Sequence, residues 1–180
     1  MKYMFVAVVL LLGGCATQES LLPKGYSGPT ASISDSIYVY SARKADFFYV
    51  EAIDGQHIDN ALEHTARVNQ GRGLAMTPEG KGRPVATKET QFHIAGRTHF
   101  AAPILEMTGT TYFVDGDVTF IPVAEETYIV KGSLGPDYSA VWIENKNTGA
   151  QMGNKLLIKG AAEVSMVKKR PPVELVPPTS

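Results

Sequence analysis

The chain has one cysteine, Cys15, and one tryptophan, Trp142, among its 180 residues, and it has no surplus of positive charge, with 17 lysines and arginines against 18 aspartates and glutamates. Each scarcity excludes something. A single thiol makes neither an internal disulfide nor a cysteine-based zinc centre, so stability has to come from a hydrophobic core. Without a basic excess there is little to neutralise a phosphate backbone, which argues against a nucleic-acid partner. Long hydrophobic runs are missing too. The one near the start, Tyr3 to Leu12, is well short of the roughly 20 residues that a membrane-spanning helix needs.

That short run is nevertheless organised. Lys2 supplies a positive start, Tyr3 to Leu12 an apolar stretch, Gly13 and Gly14 two small residues, and Cys15 follows at once. This is the layout of an export signal with small side chains at the cut. The tetrapeptide Leu12-Gly13-Gly14-Cys15 resembles the lipobox of bacterial lipoproteins. The resemblance implies that diacylglycerol joins the Cys15 sulfur, that residues 1–14 are removed as a signal peptide, and that the new amine is acylated. Lipid attachment at Cys15 leaves a mature chain of 180 − 14 = 166 residues with no free thiol and with 16 basic against 18 acidic side chains, a net charge of −2. That length fits one domain. Several acyl chains hold a protein on a bilayer stably where one does not. Ala16 rather than aspartate after the cysteine implies, by the same resemblance, the outer membrane facing the periplasm.

Residues 15–30 carry the lipid and then polar residues with proline and glycine punctuation, and read as a lipidated tether. From residue 31 to 160 the pattern is one of short β runs between turn residues. Ile33, Ile37 and Val39 share one parity, which predicts a half-buried strand through SISDSIYVY. A strand over 47–53 closes on Asp54-Gly55, a strong turn dipeptide. Another runs over 90–96 with a bend expected at Gly96. Residues 111–122 contain Asp115-Gly116-Asp117 between apolar runs and read as a hairpin. Strands over 126–134 and 139–145, a turn at Asn147-Thr148-Gly149 and a strand within 151–159 complete the set. The expected fold is all-β, a single antiparallel β-sandwich of about seven or eight strands. One short helix joins it, because Ile58, Leu62, Thr65 and Ala66 recur at helical spacing between His57 and Val68. Residues 69–84 form a long Gly- and Pro-rich loop, of a length that is functional or disordered. Residues 161–180 are an extended Pro-rich tail in which Lys168, Lys169 and Arg170 precede two Pro-Pro pairs.

Candidate chemistry is sparse. The loop fails as a P-loop, because Ala75 stands where the first glycine is required and Gly82 follows Lys81. Gly71-Arg72-Gly73 with Gly80-Lys81-Gly82-Arg83 leaves an anion nest as a weaker alternative. His93 and His99 lie about 20 Å apart along a straight strand, and His57 and His64 about 10 Å apart along a helix, so neither pair is expected to share a metal ion. No G-x-S-x-G pentapeptide occurs, and the Gly132-Ser133-Leu134-Gly135 sequence lacks its spacing. Asp115 and Asp117 read as turn residues. No catalytic, cofactor-binding or metal-ligating residue is therefore assigned. Trp142 points away from Val141 and Ile143, either as an aromatic platform for a glycan or partner or, with more weight, packed under other structure.

Phe120, Pro122 and Tyr128 in an F-x-P-x-x-x-x-x-Y pattern, with Val141-Trp142-Ile143-Glu144, make the region from Tyr38 to Glu144 resemble envelope lipoproteins with a transthyretin-like or immunoglobulin-like β-sandwich. The expected function is that of a non-enzymatic, membrane-anchored lipoprotein, held on the lipid bilayer through Cys15, whose β domain binds a partner protein or a cell-envelope glycan. One alternative is a periplasm-facing hydrolase using His57, His64 and the 69–84 loop. Another is a structural accessory subunit of an envelope complex.

Overall fold

The structure, a computed structural model, describes residues 22–160, Glu163 and residues 171–178. Cys15 and the basic triplet at 168–170 lie outside the described residues. The chain forms two β-sheets packed face to face. One contains, in order across the sheet, β11 (Glu174–Val176), β10 (Gln151–Lys159), β9 (Tyr138–Asn145), β8 (Thr127–Ser133), β1 (Thr30–Ser34) and β5 (Gly82–Ala86). The other contains β2 (Ser36–Ser41), β3 (Lys44–Ile53), β6 (Thr90–Phe100) and β7 (Phe113–Phe120), with β4 (Gln56–His57) paired to the far end of β3. Helix α1 (Ala61–Val68) and a second, unexpected helix, α2 (Pro103–Thr108), complete the described elements. The all-β sandwich expected from turn spacing is present, with eleven strands among the described residues and one parallel pair, β1 beside β8.

Between the sheets Ile33, Phe48, Val50, Phe92, Ile94, Val114, Tyr128, Val130, Val141, Ile143, Leu156 and Ile158 form the core. Their alternation along each strand is what directs one face inward. β3 departs from alternation, with Ala45 to Val50 all buried. Its outer face is covered as well, by a second cluster in which Phe47 and Tyr49 meet Ala61 of α1 and Met76 of the following loop. A strand covered on both faces loses the polar half of its pattern. α1 starts at a side-chain cap, in which Asn60 accepts a hydrogen bond from the Glu63 amide. It buries Ala61 and Thr65, while Ala66 is exposed and Ile58 is buried ahead of the helix.

Four expectations need correction. SISDSIYVY is two strands rather than one, because the chain changes sheets at Asp35. Asp35 is buried, accepts hydrogen bonds from the amides of Val50 and Ala61 at 3.1 and 2.9 Å, and pairs with Arg83 of β5 at 2.5 Å. Burial pushes its carboxyl pKa up, against the opposing pull of Arg83 and the two amides. Residues 115–117 make no hairpin. β7 runs straight through them, with Gly116 opposite Ile94, and a glycine stands there because a Cβ would come within 3.1 Å of Leu156. Nor does Gly96 bend β6, for it makes room for Phe48, whose ring stands 3.0 Å from where its Cβ would be. Gly132 clears the other side of the same ring, and a Cβ there would also stand 2.6 Å from the Ala140 carbonyl. Gly116 and Gly132 thus serve packing between the sheets and Gly96 packing across one of them, instead of turns.

The fourth correction concerns the segments read as loop, tether and tail. Residues 82–86 are a strand, disguised by Gly82 and by Pro84, which an edge strand tolerates. The tether expected to reach residue 30 is held earlier, where the Tyr26 hydroxyl donates to the Pro29 carbonyl at 2.6 Å and lies 3.1 Å from the Thr87 hydroxyl. In the tail, residues 174–176 extend the first sheet by pairing with β10.

Candidate functional site

The turn between β2 and β3 lies at one end of the sandwich, with two segments hydrogen-bonded on either side of it. Met76 donates its amide to the Ala42 carbonyl at 2.8 Å, and Ala101 donates to the Arg43 carbonyl at 3.0 Å. Between those segments a groove of about 390 Å³ opens, with Thr65 and Asn69 of the α1 end and Gly71, Gly73 and Met76 of the following loop facing His99, Phe100 and Pro103 of β6 and α2. Leu74 and Ile104 are exposed apolar residues adjoining lining residues, and Met107, one helical turn beyond Ile104, is 81% exposed. α2 buries none of its residues. With Leu105 partly covered, Ile104 and Met107 are the large apolar side chains that α2 leaves to solvent, and neighbouring exposed apolar residues are associated with partner binding.

The loop after α1 is held in place by side chains. Asn69 caps the helix end and accepts a hydrogen bond from the Thr77 amide at 2.9 Å through its side-chain oxygen, while its side-chain amide donates to the Thr77 carbonyl at 3.0 Å. Thr65 accepts from the Glu79 amide at 3.0 Å. Gly71 and Gly73 adopt φ values of 81° and 73°, a region glycine enters without steric cost. The loop is thus an ordered wall of the groove.

On the groove floor His99 stands edge-on to Phe47, with ring centroids 6.0 Å apart. Burial lowers its pKa below the ordinary value of 6.5, with Arg97 adding to the effect and Glu106 opposing it. A histidine depressed in the folded state contributes stability that is complete above pH 6.5 and is lost as pH falls through its folded value. Urea unfolding at pH 7.5 and 5.5 is therefore expected to show a loss of stability on acidification that is smaller in His99→Gln than in the parent.

The other histidines are on surfaces. His57 lies 3.0 Å from Glu63, and His64 lies 3.0 Å from Glu79 and 3.3 Å from Arg67. Neither lines the groove, and the two are engaged by different carboxylates. His93 is on the outer face of the second sheet, where Asp117 is 2.8 Å from Nδ1 and Asp115 and Glu51 are 3.5 and 3.7 Å from Nε2. The straight course of β7 is what turns Asp115 and Asp117 toward this histidine, a contact that a hairpin reading hides. Among the described residues no group of three or more histidines and carboxylates has the geometry to hold a metal ion.

The remaining sequence candidates are occupied by structural contacts. The anion nest does not form: Lys81 pairs with Asp59 at 2.9 Å, Arg83 is buried against Asp35, and Gly82 belongs to β5. Burial opposes ionisation of Asp59, but Arg67 and Lys81 outweigh it and hold the carboxyl below its usual range. Trp142 lies on the outer face of the first sheet, half-buried, with the Lys155 ammonium 3.9 Å from its ring centroid and its indole N–H donating to Glu144 at 3.4 Å. One face of the indole is thereby covered. Ser133 ends β8, with no histidine among the residues it shares a pocket with.

Sequence reasoning located the 69–84 loop but missed α2, and with it the groove. Pro103 at the first helical turn was the available signal. Six residues with no periodic buried face offered nothing else. No protein family, no curated protein and no solved structure matches the chain, so the groove and the surfaces around it carry the functional reading alone.

Proposed function

We propose that the protein is a membrane-anchored lipoprotein of the bacterial envelope, attached through Cys15 to the outer membrane and facing the periplasm, whose β domain binds a partner protein in a non-enzymatic role. One observation carries the reading: the groove beside α2, with Leu74, Ile104 and Met107 exposed around it. Its position fits the role. The chain is held on the domain from Tyr26 onward, enters β1 at Thr30, and then runs outward through β1 and β2 to the turn at Ala42 beside the groove. At 3.3 Å per residue those dozen residues span up to about 40 Å, so the groove faces away from the point of attachment. Aliphatic side chains suit an apolar protein segment better than a sugar. The flat aromatic that would favour a glycan, Trp142, is covered on one face by Lys155.

The test is crosslinking and capture from intact cells, comparing the parent with Ile104→Glu and Met107→Glu, together with mass spectrometry of Cys15. A captured protein lost in both variants while folding is unchanged supports the groove, and acyl mass on Cys15 supports the anchor. Capture that survives both substitutions removes the groove from the reading; an unmodified thiol removes the anchor. For the hydrolase alternative, His57 beside Glu63 and His64 beside Glu79 are the favourable contacts. Both histidines stand outside the groove.

A further inference from the structure

A β-sandwich presents unpaired strand edges, and among the described residues three of the four are visibly protected against pairing. β5 carries Pro84. β11 is three residues long, contains Glu174, and lies between Pro171-Pro172 and Pro177-Pro178. β7 carries Asp115 and Asp117, and next to its start Tyr112 is bridged to Glu163. The fourth edge is β2. Its six residues, Ser36-Ile37-Tyr38-Val39-Tyr40-Ser41, include no proline and no charge, and among the described residues β3 is its one strand partner in the sheet. Tyr38, Val39 and Tyr40 are each at least half exposed, Tyr38 at 60%. Such an edge is a template for another strand.

Around Tyr38 the strand is locally symmetric, with the β-branched residues Ile37 and Val39 on either side, and this selects the partner. We propose that β2 pairs with β2 of a second copy of this chain, antiparallel, about a two-fold axis through Tyr38. A two-fold perpendicular to the sheet keeps residues of like parity opposite one another. With Tyr38 on the axis, Tyr38 faces Tyr38 of the second copy, Ile37 faces Val39, and Ser36 faces Tyr40. Aromatic and β-branched pairs of this kind stabilise antiparallel strands. No charged side chain falls within the paired segment, so no like charges meet across the axis. The irregularity between Val39 and Ser41 limits the pairing to this short stretch. Tyr38 and Tyr40 already meet edge to face at 4.8 Å within one copy, so the dimer assembles four tyrosines into one cluster. The interface is isologous and closes, producing dimers instead of fibres. It is a different surface from the groove, and the two proposals stand or fall separately.

Two measurements test it on the full chain. Sedimentation velocity over a concentration series is expected to show a monomer–dimer equilibrium, and Tyr38→Lys, which sets two ammonium groups opposite each other, is expected to raise the dissociation constant about tenfold or more. Oxidative trapping uses Tyr38→Cys in a Cys15→Ser background, so that the introduced thiol stands alone. Residues facing each other across antiparallel strands have Cα atoms about 4.5–5.5 Å apart, within disulfide reach. A covalent dimer is expected from Tyr38→Cys and not from Lys146→Cys in the exposed turn between β9 and β10. A monomer at every concentration, a dimer indifferent to Tyr38→Lys, or trapping no better at position 38 than at 146 overturns the pairing. Partner capture through the groove by a strictly monomeric protein leaves the proposed function standing and removes the β2 dimer alone.

Discussion

Asp35→Ala is expected to lower the free energy of unfolding by about 3–5 kcal/mol, because it leaves the Arg83 guanidinium charged and buried without its partner. Both side chains are almost fully enclosed. The substitution also orphans two backbone amides, those of Val50 in β3 and Ala61 at the start of α1. One carboxylate thus ties the second sheet, the helix and β5 to the point where the chain passes between sheets. Graded variants separate these contributions. Asp35→Asn keeps an oxygen for the Val50 amide and is expected to cost less than alanine. Asp35→Leu with Arg83→Met removes the unpaired charge, but the two stranded amides remain, so recovery is expected to stop short of the parent by about 1–3 kcal/mol per buried amide at most. Urea denaturation with unchanged slope is the measurement. Full recovery in the double variant would show that the amides find other partners.

Tyr128→Ala is expected to cost about 3–5 kcal/mol by opening a cavity in the centre of the core. Tyr128 is fully buried, and its ring meets Phe120 edge-on at 5.1 Å, which in turn stacks on Phe92 at 5.0 Å. The three rings bridge the sheets, so the void has little means of closing. The hydroxyl has a separate task, accepting the Val123 amide at 2.9 Å to fix the loop between β7 and β8. Tyr128→Phe preserves the packing and loses that bond alone, which predicts about 1 kcal/mol. Comparable losses in the two variants would assign most of the effect to the hydroxyl and refute the cavity argument.

How far the sequence disclosed this molecule depends on what each residue type was asked to signal. Where alternation met a genuine turn, as at Asp54-Gly55 or Asn147-Thr148-Gly149, strands and connections were legible, and so was the fold class. Asp54 and Gly55 both take positive φ, at 49° and 78°, as a tight hairpin requires. Glycine misled wherever its missing side chain served a neighbour: Gly96 and Gly132 admit Phe48, and Gly116 admits Leu156. Asp35 misled for the opposite reason, since a short acidic residue inside an alternating run looks solvent-facing until its partner, 48 residues away, is known. The groove was half visible. Its glycine-rich wall stood out by length, but its other wall is a six-residue helix that buries nothing and carries no periodicity. The pairing edge of β2 was present in the letters, yet its significance depends on β3 being its one neighbour in the sheet.

The parallel union of β1 with β8 sets a timetable. Ser32 lies beside Thr127, its neighbour in that ladder, across 95 positions of chain. At roughly 5–20 residues per second of synthesis, the first strand waits about 5–20 s for the stretch that completes it. During that interval β5 is the one strand neighbour available to β1 among the described residues, and a fold that closes on its own beginning forms slowly compared with one built from successive hairpins. Whatever receives the emerging polypeptide must leave one side of its earliest strand open until the eighth arrives, even after β5 has paired with the other.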